Sequence, residues 1–258
     1  MLDLMQRLNV RRRVDQTPRS PKNQLRPYEQ SVYSQQGEDG ILREIFLRVG
    51  PGDRYFVEFG VEDGAQCNTA LLAGRYGWSG LYIEADDAHV VRLRDRWAKR
   101  PNITVDHSFI TTDNIAAIFA RNQVPRDFDL LSIDVDGNDY WLWKALGDYG
   151  PRVPVIEYNS AYPPPRCWIM AYNAGHTWDG TTHFGASLSA LARLGSQRGY
   201  VLLATDSRGV NAFFLRRDLL QQSGLLAATP EESYHPPRYG MLGVRHSFRS
   251  GSFVEDDV

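Results

Sequence analysis

The sequence predicts an α/β protein built on a doubly wound, mostly parallel sheet. From Ser34 onward, short apolar runs rich in β-formers alternate with segments of helically spaced apolar residues, the pattern of successive βαβ units. A glycine turn directly follows the first of those runs. At 258 residues the chain is long enough for one substantial core. Its 42% hydrophobic and 23% charged residues are those of a globular protein, and no uninterrupted apolar stretch reaches the roughly 18 residues of a membrane-spanning helix. A formal net charge of -2 argues against a partner held through phosphates, so no nucleic acid is expected.

The strands predicted in order are Tyr55–Phe59, Gly80–Glu84, Ile103–Asp106, Leu130–Asp134 and Val153–Tyr158, forming a parallel sheet. Tyr200–Ala204 and Val210–Leu215 flank a Ser-Arg-Gly turn and read as a hairpin that adds two more, the last one reversed. Ile41, Leu42, Ile45 and Phe46 place a helix over residues 38–48, and further helices are expected near Gln66, Asp87, Asp113, Asn138 and Gly185, several with a capping Asp, Asn or Thr. Residues 160–184 carry three consecutive prolines, Pro163 to Pro165, and no clear period, so they read as a long functional loop after the fifth strand. Residues 1–30 stand apart as a basic arm, with Leu2, Met5 and Leu8 at helical spacing before Arg11, Arg12 and Arg13. The expected division is the arm, a domain over residues 31–225 and an extension over 226–258. Cys67 and Cys167 have neither metal-finger spacing nor disulfide-scaffold density, and Asp3 and Gln6 interrupt the first apolar residues where a signal peptide would need a run; both features set the expectation of a cytoplasmic protein.

The first strand runs into Glu58-Phe-Gly60-Val-Glu62-Asp63-Gly64, and the second ends at Glu84, where an acidic side chain can accept both ribose hydroxyls of an adenosine cofactor. A dinucleotide would bring two phosphate charges against Glu62 and Asp63 at a turn that lacks G-x-G-x-x-G spacing, and like charges repel. S-adenosylmethionine (SAM) has no phosphate and carries an ammonium and a sulfonium, so it suits the turn better than NAD. Both acidic residues could equally cap the following helix.

Ser34-Gln-Gln-Gly-Glu-Asp-Gly40, Val57-Glu-Phe-Gly60, Tyr82-Ile-Glu84, Ser132-Ile-Asp-Val-Asp-Gly137 and Gly185-Ala-Ser187 together resemble the FkbM-like branch of class I SAM-dependent methyltransferases, over roughly residues 31–218. The resemblance implies a seven-stranded sheet with an antiparallel last strand, SAM across the first two strand ends, and O-methylation of a sugar or natural-product hydroxyl. It implies that Gly60 and Gly64 meet the methionine part of SAM, Glu84 its ribose and Asp106 or a neighbour its adenine. Gln36 or Glu38 would face the cofactor from the Ser34–Gly40 stretch, with Glu58 and Asp134 completing the set. The turn departs from the family in having Glu-Asp where glycine is common.

Asp134-Val-Asp136-Gly-Asn-Asp139 ends the fourth strand and Glu157-Tyr-Asn159 the fifth, so neighbouring strands bring carboxylates together. Closely spaced carboxylates need protons, basic partners or a cation. Three readings stay open: a hard cation such as Mg²⁺ on Asp134, Asp136, Glu157 and Asn159, similar to catechol-type and macrolide-sugar O-methyltransferases; acceptor binding and base catalysis; or a structural network. Asp136 is the first candidate for the base, with His183 and His176 as alternatives because imidazole titrates near neutrality. Trp168, Tyr172 and Trp178 offer ring faces for a sugar or simply pack the loop. The expected partner is a small-molecule or saccharide acceptor, with a homo-oligomer left open. Against this stand a non-catalytic adenosine-binding or interaction module with the same fold, and an NAD-dependent oxidoreductase, which the turn's charge disfavours.

Overall fold

The computed structural model describes residues 20–239 and 246–255. The arm residues Leu2, Met5, Leu8 and Arg11 to Arg13 lie outside them. The predicted strands form at β1 (Tyr55–Phe59), β2 (Ser79–Glu84), β3 (Ile103–His107), β4 (Leu130–Ile133) and β5 (Val153–Glu157), and the hairpin at β7 (Tyr200–Thr205) and β8 (Asn211–Arg216). They build one seven-stranded sheet in the order β3-β2-β1-β4-β5-β8-β7. Neighbours are parallel from β3 through β5, whereas β8 runs antiparallel to both β5 and β7. This is the class I methyltransferase fold, with the reversed strand inserted between β5 and the edge.

Alternation along each strand feeds two cores. Val57, Leu81, Leu131 and Ile156 face α4 (Ile115–Arg121), α5 (Asp139–Lys144) and α6 (Leu188–Gln197), where Phe119, Trp143 and Leu191 are buried. Phe56, Tyr82, Leu130 and Val155 face α1 (Glu38–Val49), α2 (Ala70–Tyr76) and α3 (Asp87–Trp97) through Ile41, Leu72 and Leu93. Helices on both faces explain the nearly continuous apolar runs of the central strands. The buried Asp129 carboxylate accepts from Gly52 N and Arg54 N and pairs with Arg152 at 2.9 Å, tying the entry of β1 to that of β5.

Helix starts differ from the sequence reading where side chains intercept the backbone. Asp86 caps α3 by accepting from His89 N, as the sequence suggests. The helix expected near Gln66 begins only at Ala70, because the Glu58 carboxylate accepts Asn68 N and Thr69 N and holds the preceding residues in a turn. The one expected near Gly185 begins at Leu188, capped by Ser187, since Gly185 N donates to Gly137 O and Ala186 bridges Ile169. Within the unperiodic 160–184 stretch, β6 (Trp168–Met170) pairs with β9 (Phe253–Glu255) more than 80 residues on, a pairing no local pattern announces. Of the arm, Leu25 is buried, and Gln24 Nε2 donates to Leu203 O and Leu226 O. No helix among the described residues is long and apolar enough to cross a membrane.

Candidate active site

A cleft of about 660 Å³ runs across the carboxyl ends of β2, β1, β4 and β5 and the amino end of the reversed β8. It spans the point between β1 and β4 where strand order reverses, the place at which open α/β sheets bind ligands. Neighbouring strands lie roughly 4.8 Å apart, so Glu84 on β2 and Glu157 on β5, three strands away, are separated by about 14 Å.

At the β2 end, Glu84 is nearly buried and lines the cleft. Its Oε2 accepts from Glu62 N at 2.8 Å, and its Oε1 accepts from Ala85 N and Asp86 N at 2.9 Å each. Three of the four lone-pair directions of the carboxylate are thus filled, which leaves Oε2 room for one further hydroxyl where the sequence suggested two. The bond from Glu62 explains that residue's φ of 48°, a left-handed backbone that costs a non-glycine residue about 1–2 kcal/mol. Gly60, with φ of 67°, lets β1 pass beside Asp134: a Cβ there would lie 1.5 Å from Asp134 O. Gly64 does not line the cleft, since the space of its missing Cβ is taken by Leu93 Cδ1 of α3, so that glycine serves helix packing. Gln36 and Glu38 line the cleft as the sequence suggested, and Gln36 N donates to Glu38 Oε2. Glu58 lines it too, but Asn68 N, Thr69 N and Thr69 Oγ1 occupy both oxygens; burial outweighs those bonds and pushes it up to about 7.

Asp106 faces away from the cleft. Arg121 grips it with Nε and Nη2 at 2.9 and 2.5 Å, and Ser108 Oγ and Asn122 Nδ2 also donate to it. Burial opposes its ionisation, yet the bonds from Arg121, Ser108 and Asn122 prevail and hold it at about 2 against the ordinary 3.8. The residues that do line the cleft here are Ser108, Phe109 and Ile110, immediately downstream. A lowered folded pKa stabilises above the unfolded value and ceases to do so as pH falls toward 2. Asp106→Asn should therefore cost about 1–2 kcal/mol at pH 7, allowing for the half-exposed Arg121, with the difference from wild type vanishing near pH 2. Urea unfolding across pH measures it, and SAM affinity should not change.

The carboxylates at the ends of β4 and β5 converge: Asp134, Asp136 and Glu157 place oxygens within 4.8 Å of one another. Burial raises Asp134 and Glu157 well above the usual carboxylate range, and the neighbouring charges raise them further. Asp136, at the exposed side of the cleft, is pushed up to about 6 by burial and then by Asp139 and Glu62. The turn that presents them is set by the fully buried Asp139, which accepts from Val135 N and Gly137 N and brackets Asp136 at φ 53°. Asn159 does not join them. Its Nδ2 donates to Thr182 O and Phe184 O and its Oδ1 accepts from Ala161 N, so its amide braces the loop. His176 lies against Gly137 inside the cleft with Nε2 unpartnered, and burial lowers its pKa. His183 lies outside the cleft lining with Nε2 3.1 Å from Ser252 O.

Three residues that the sequence did not flag complete this end. Asn211 opens β8 directly opposite Glu157 in register, and a polar first residue on an otherwise apolar strand was its only signal. Tyr239 and His246 come from the C-terminal segment and stack with ring centroids 4.2 Å apart, while Trp178 meets His246 edge-on at 4.7 Å. Trp168 instead stacks on Tyr162 below the loop, and Tyr172 packs on Trp141.

No protein-family model matches the chain, and no curated protein matches its sequence. Among solved structures, the chain is similar to the N-terminal domain of EvdMO1, determined in the presence of S-adenosylhomocysteine (SAH) and D-fucose: 14% identity, 71% of this chain and 83% of that one, TM-score 0.46. It is also similar to an O-methyltransferase from Bacillus cereus in complex with SAH, at 14% identity over 72% and 82% of the two chains with TM-score 0.44. A third likeness is to the glycopeptide N-methyltransferase MtfA complexed with sinefungin, at 12% identity over 69% and 92% with TM-score 0.42.

Proposed function

We propose that this chain is a SAM-dependent methyltransferase that O-methylates a hydroxyl of a saccharide or natural product. The observation that carries the reading is the charge of the cleft. Glu62, Asp63 and Glu84 line its β1–β2 end, and among the described lining residues the sole Lys or Arg is Arg92. Such a cleft repels a pyrophosphate and attracts a cofactor bearing an ammonium and a sulfonium. Glu84 would take a ribose hydroxyl, Phe109 and Ile110 would flank the base, and Gly60 with Gln36 would border the methionine part. Bound SAM supplies a methyl group whose bond to sulfur breaks as its bond to the acceptor oxygen forms, leaving a neutral thioether.

The chain's own residues then orient the hydroxyl and remove its proton. Asp136 at the mouth and His176, neutral and with a free ring nitrogen, are the two groups suited to receive it. A second reading, in which Asp134, Asp136 and Glu157 hold a divalent cation, is favoured by their mutual approach within 4.8 Å and by their all-oxygen chemistry. Asn159, occupied by the loop, is left out of that ligand set. Calorimetry with SAM and with NAD tests the reading: SAM binds and NAD does not. Glu84→Ala should weaken SAM by about 1.5–3 kcal/mol, roughly 10- to 150-fold. Unchanged affinity removes the ribose contact, and no SAM binding by the wild type overturns the proposal.

A further inference from the structure

Carboxyl and amide oxygens crowd the β4–β5–β8 end of the cleft. Glu157 is 8% exposed, and its Oε2 has no partner. Across the sheet register, Asn211 is 3% exposed, and its Nδ2 donates to Glu38 Oε1 at 2.9 Å. That bond fixes the amide and leaves Oδ1, also unpartnered, as an acceptor. Asp134 and Asp136 add carboxylate oxygens within 4.8 Å of Glu157. Crowded buried carboxyls keep their protons unless a cation compensates them, and a cationic donor lets them ionise. Beside them the cleft wall is aromatic, made of Trp178, Tyr239 and His246.

Resting on the methyltransferase reading, we infer that the acceptor carries a protonated amine, as in an amino sugar, whose ammonium sits among Asp136, Glu157 and Asn211 Oδ1 beside the hydroxyl to be methylated. An alkylammonium has three N–H donors and no lone pair, and ring faces as well as carboxylates attract it. A neutral hydroxyl would bring one donor and two more lone pairs. A hydrated Mg²⁺ would satisfy the carboxylates but draw nothing from the aromatic wall.

The test uses the full chain saturated with SAH in chelator-containing buffer. Calorimetry and thermal shift compare glucosamine, galactosamine and kanamycin, each against its N-acetylated form. At least one amine should bind about tenfold or more tighter than its acetylated partner, the scale of a charge-assisted bond. Asp136→Asn should erase that preference while SAH affinity stays the same. Asn tolerates the left-handed backbone at this position, so the variant should fold. If no amine outbinds its acetylated form, or if in a parallel chelator-free titration Mg²⁺ binds the cluster and the amines do not displace it, the inference falls. Failure of SAH itself to bind would instead remove the methyltransferase reading.

Discussion

Gly60→Ala should abolish SAM binding and cost at least about 3 kcal/mol of stability, whereas Gly77→Ala should cost only about 1–2 kcal/mol. The two glycines have nearly the same φ, 67° and 69°, so the penalty for a positive φ is common to both. Their surroundings differ. A Cβ at Gly77 meets nothing within 4 Å, while one at Gly60 would lie 1.5 Å from a backbone oxygen of the neighbouring strand. No side chain can swing aside to relieve that contact, so β1 and β4 would have to part where the cleft crosses the sheet. Urea unfolding of the two variants with SAM calorimetry reads the difference. Equal stabilities would mean that close strand approach does not constrain the turn.

The legible part of this fold was the part written in local periodicity. Five parallel strands and the terminal hairpin emerge within a residue or so of their predicted bounds, because alternating two-faced burial leaves apolar runs that a reader can count. Glu84 and the Asp134–Glu157 pair were placed in one cleft by the same logic, since residues at the carboxyl ends of parallel strands share an edge of the sheet. What failed needed tertiary information. Asp106 has the position of an adenine contact, but Arg121, 15 residues on along α4, claims it. Asn159 looks like a ligand beside Glu157, but loop carbonyls at 182 and 184 take its amide. Tyr239 and His246 reach the cleft from a segment with no strand or helix period, and β6 waits for a partner near the end of the chain.

The largest catalytic effect should come from the carboxylates at the ends of β4 and β5. Asp136→Asn and Glu157→Gln should each lower SAM-dependent methyl transfer to a panel of saccharides and amino sugars by at least about a hundredfold while SAM binding persists. Both variants should fold: Asn suits the φ of 53° at Asp136, and Gln removes a like charge from a buried cluster whose members raise one another. Each is assayed with Mg²⁺ and with chelator. If a divalent cation links the three carboxylates, chelation of the wild type should abolish transfer and leave SAM bound, because Glu84 ends β2 and Gly60 follows β1, and neither belongs to the cluster. If the cluster holds the acceptor directly, wild-type transfer should survive chelation and the two variants should still fail. A His176→Gln variant separates the proton acceptor from the binding residues, since it removes the unpartnered Nε2 and leaves all three carboxylates in place. Near-normal turnover in both carboxylate variants would move the chemistry away from this end of the cleft.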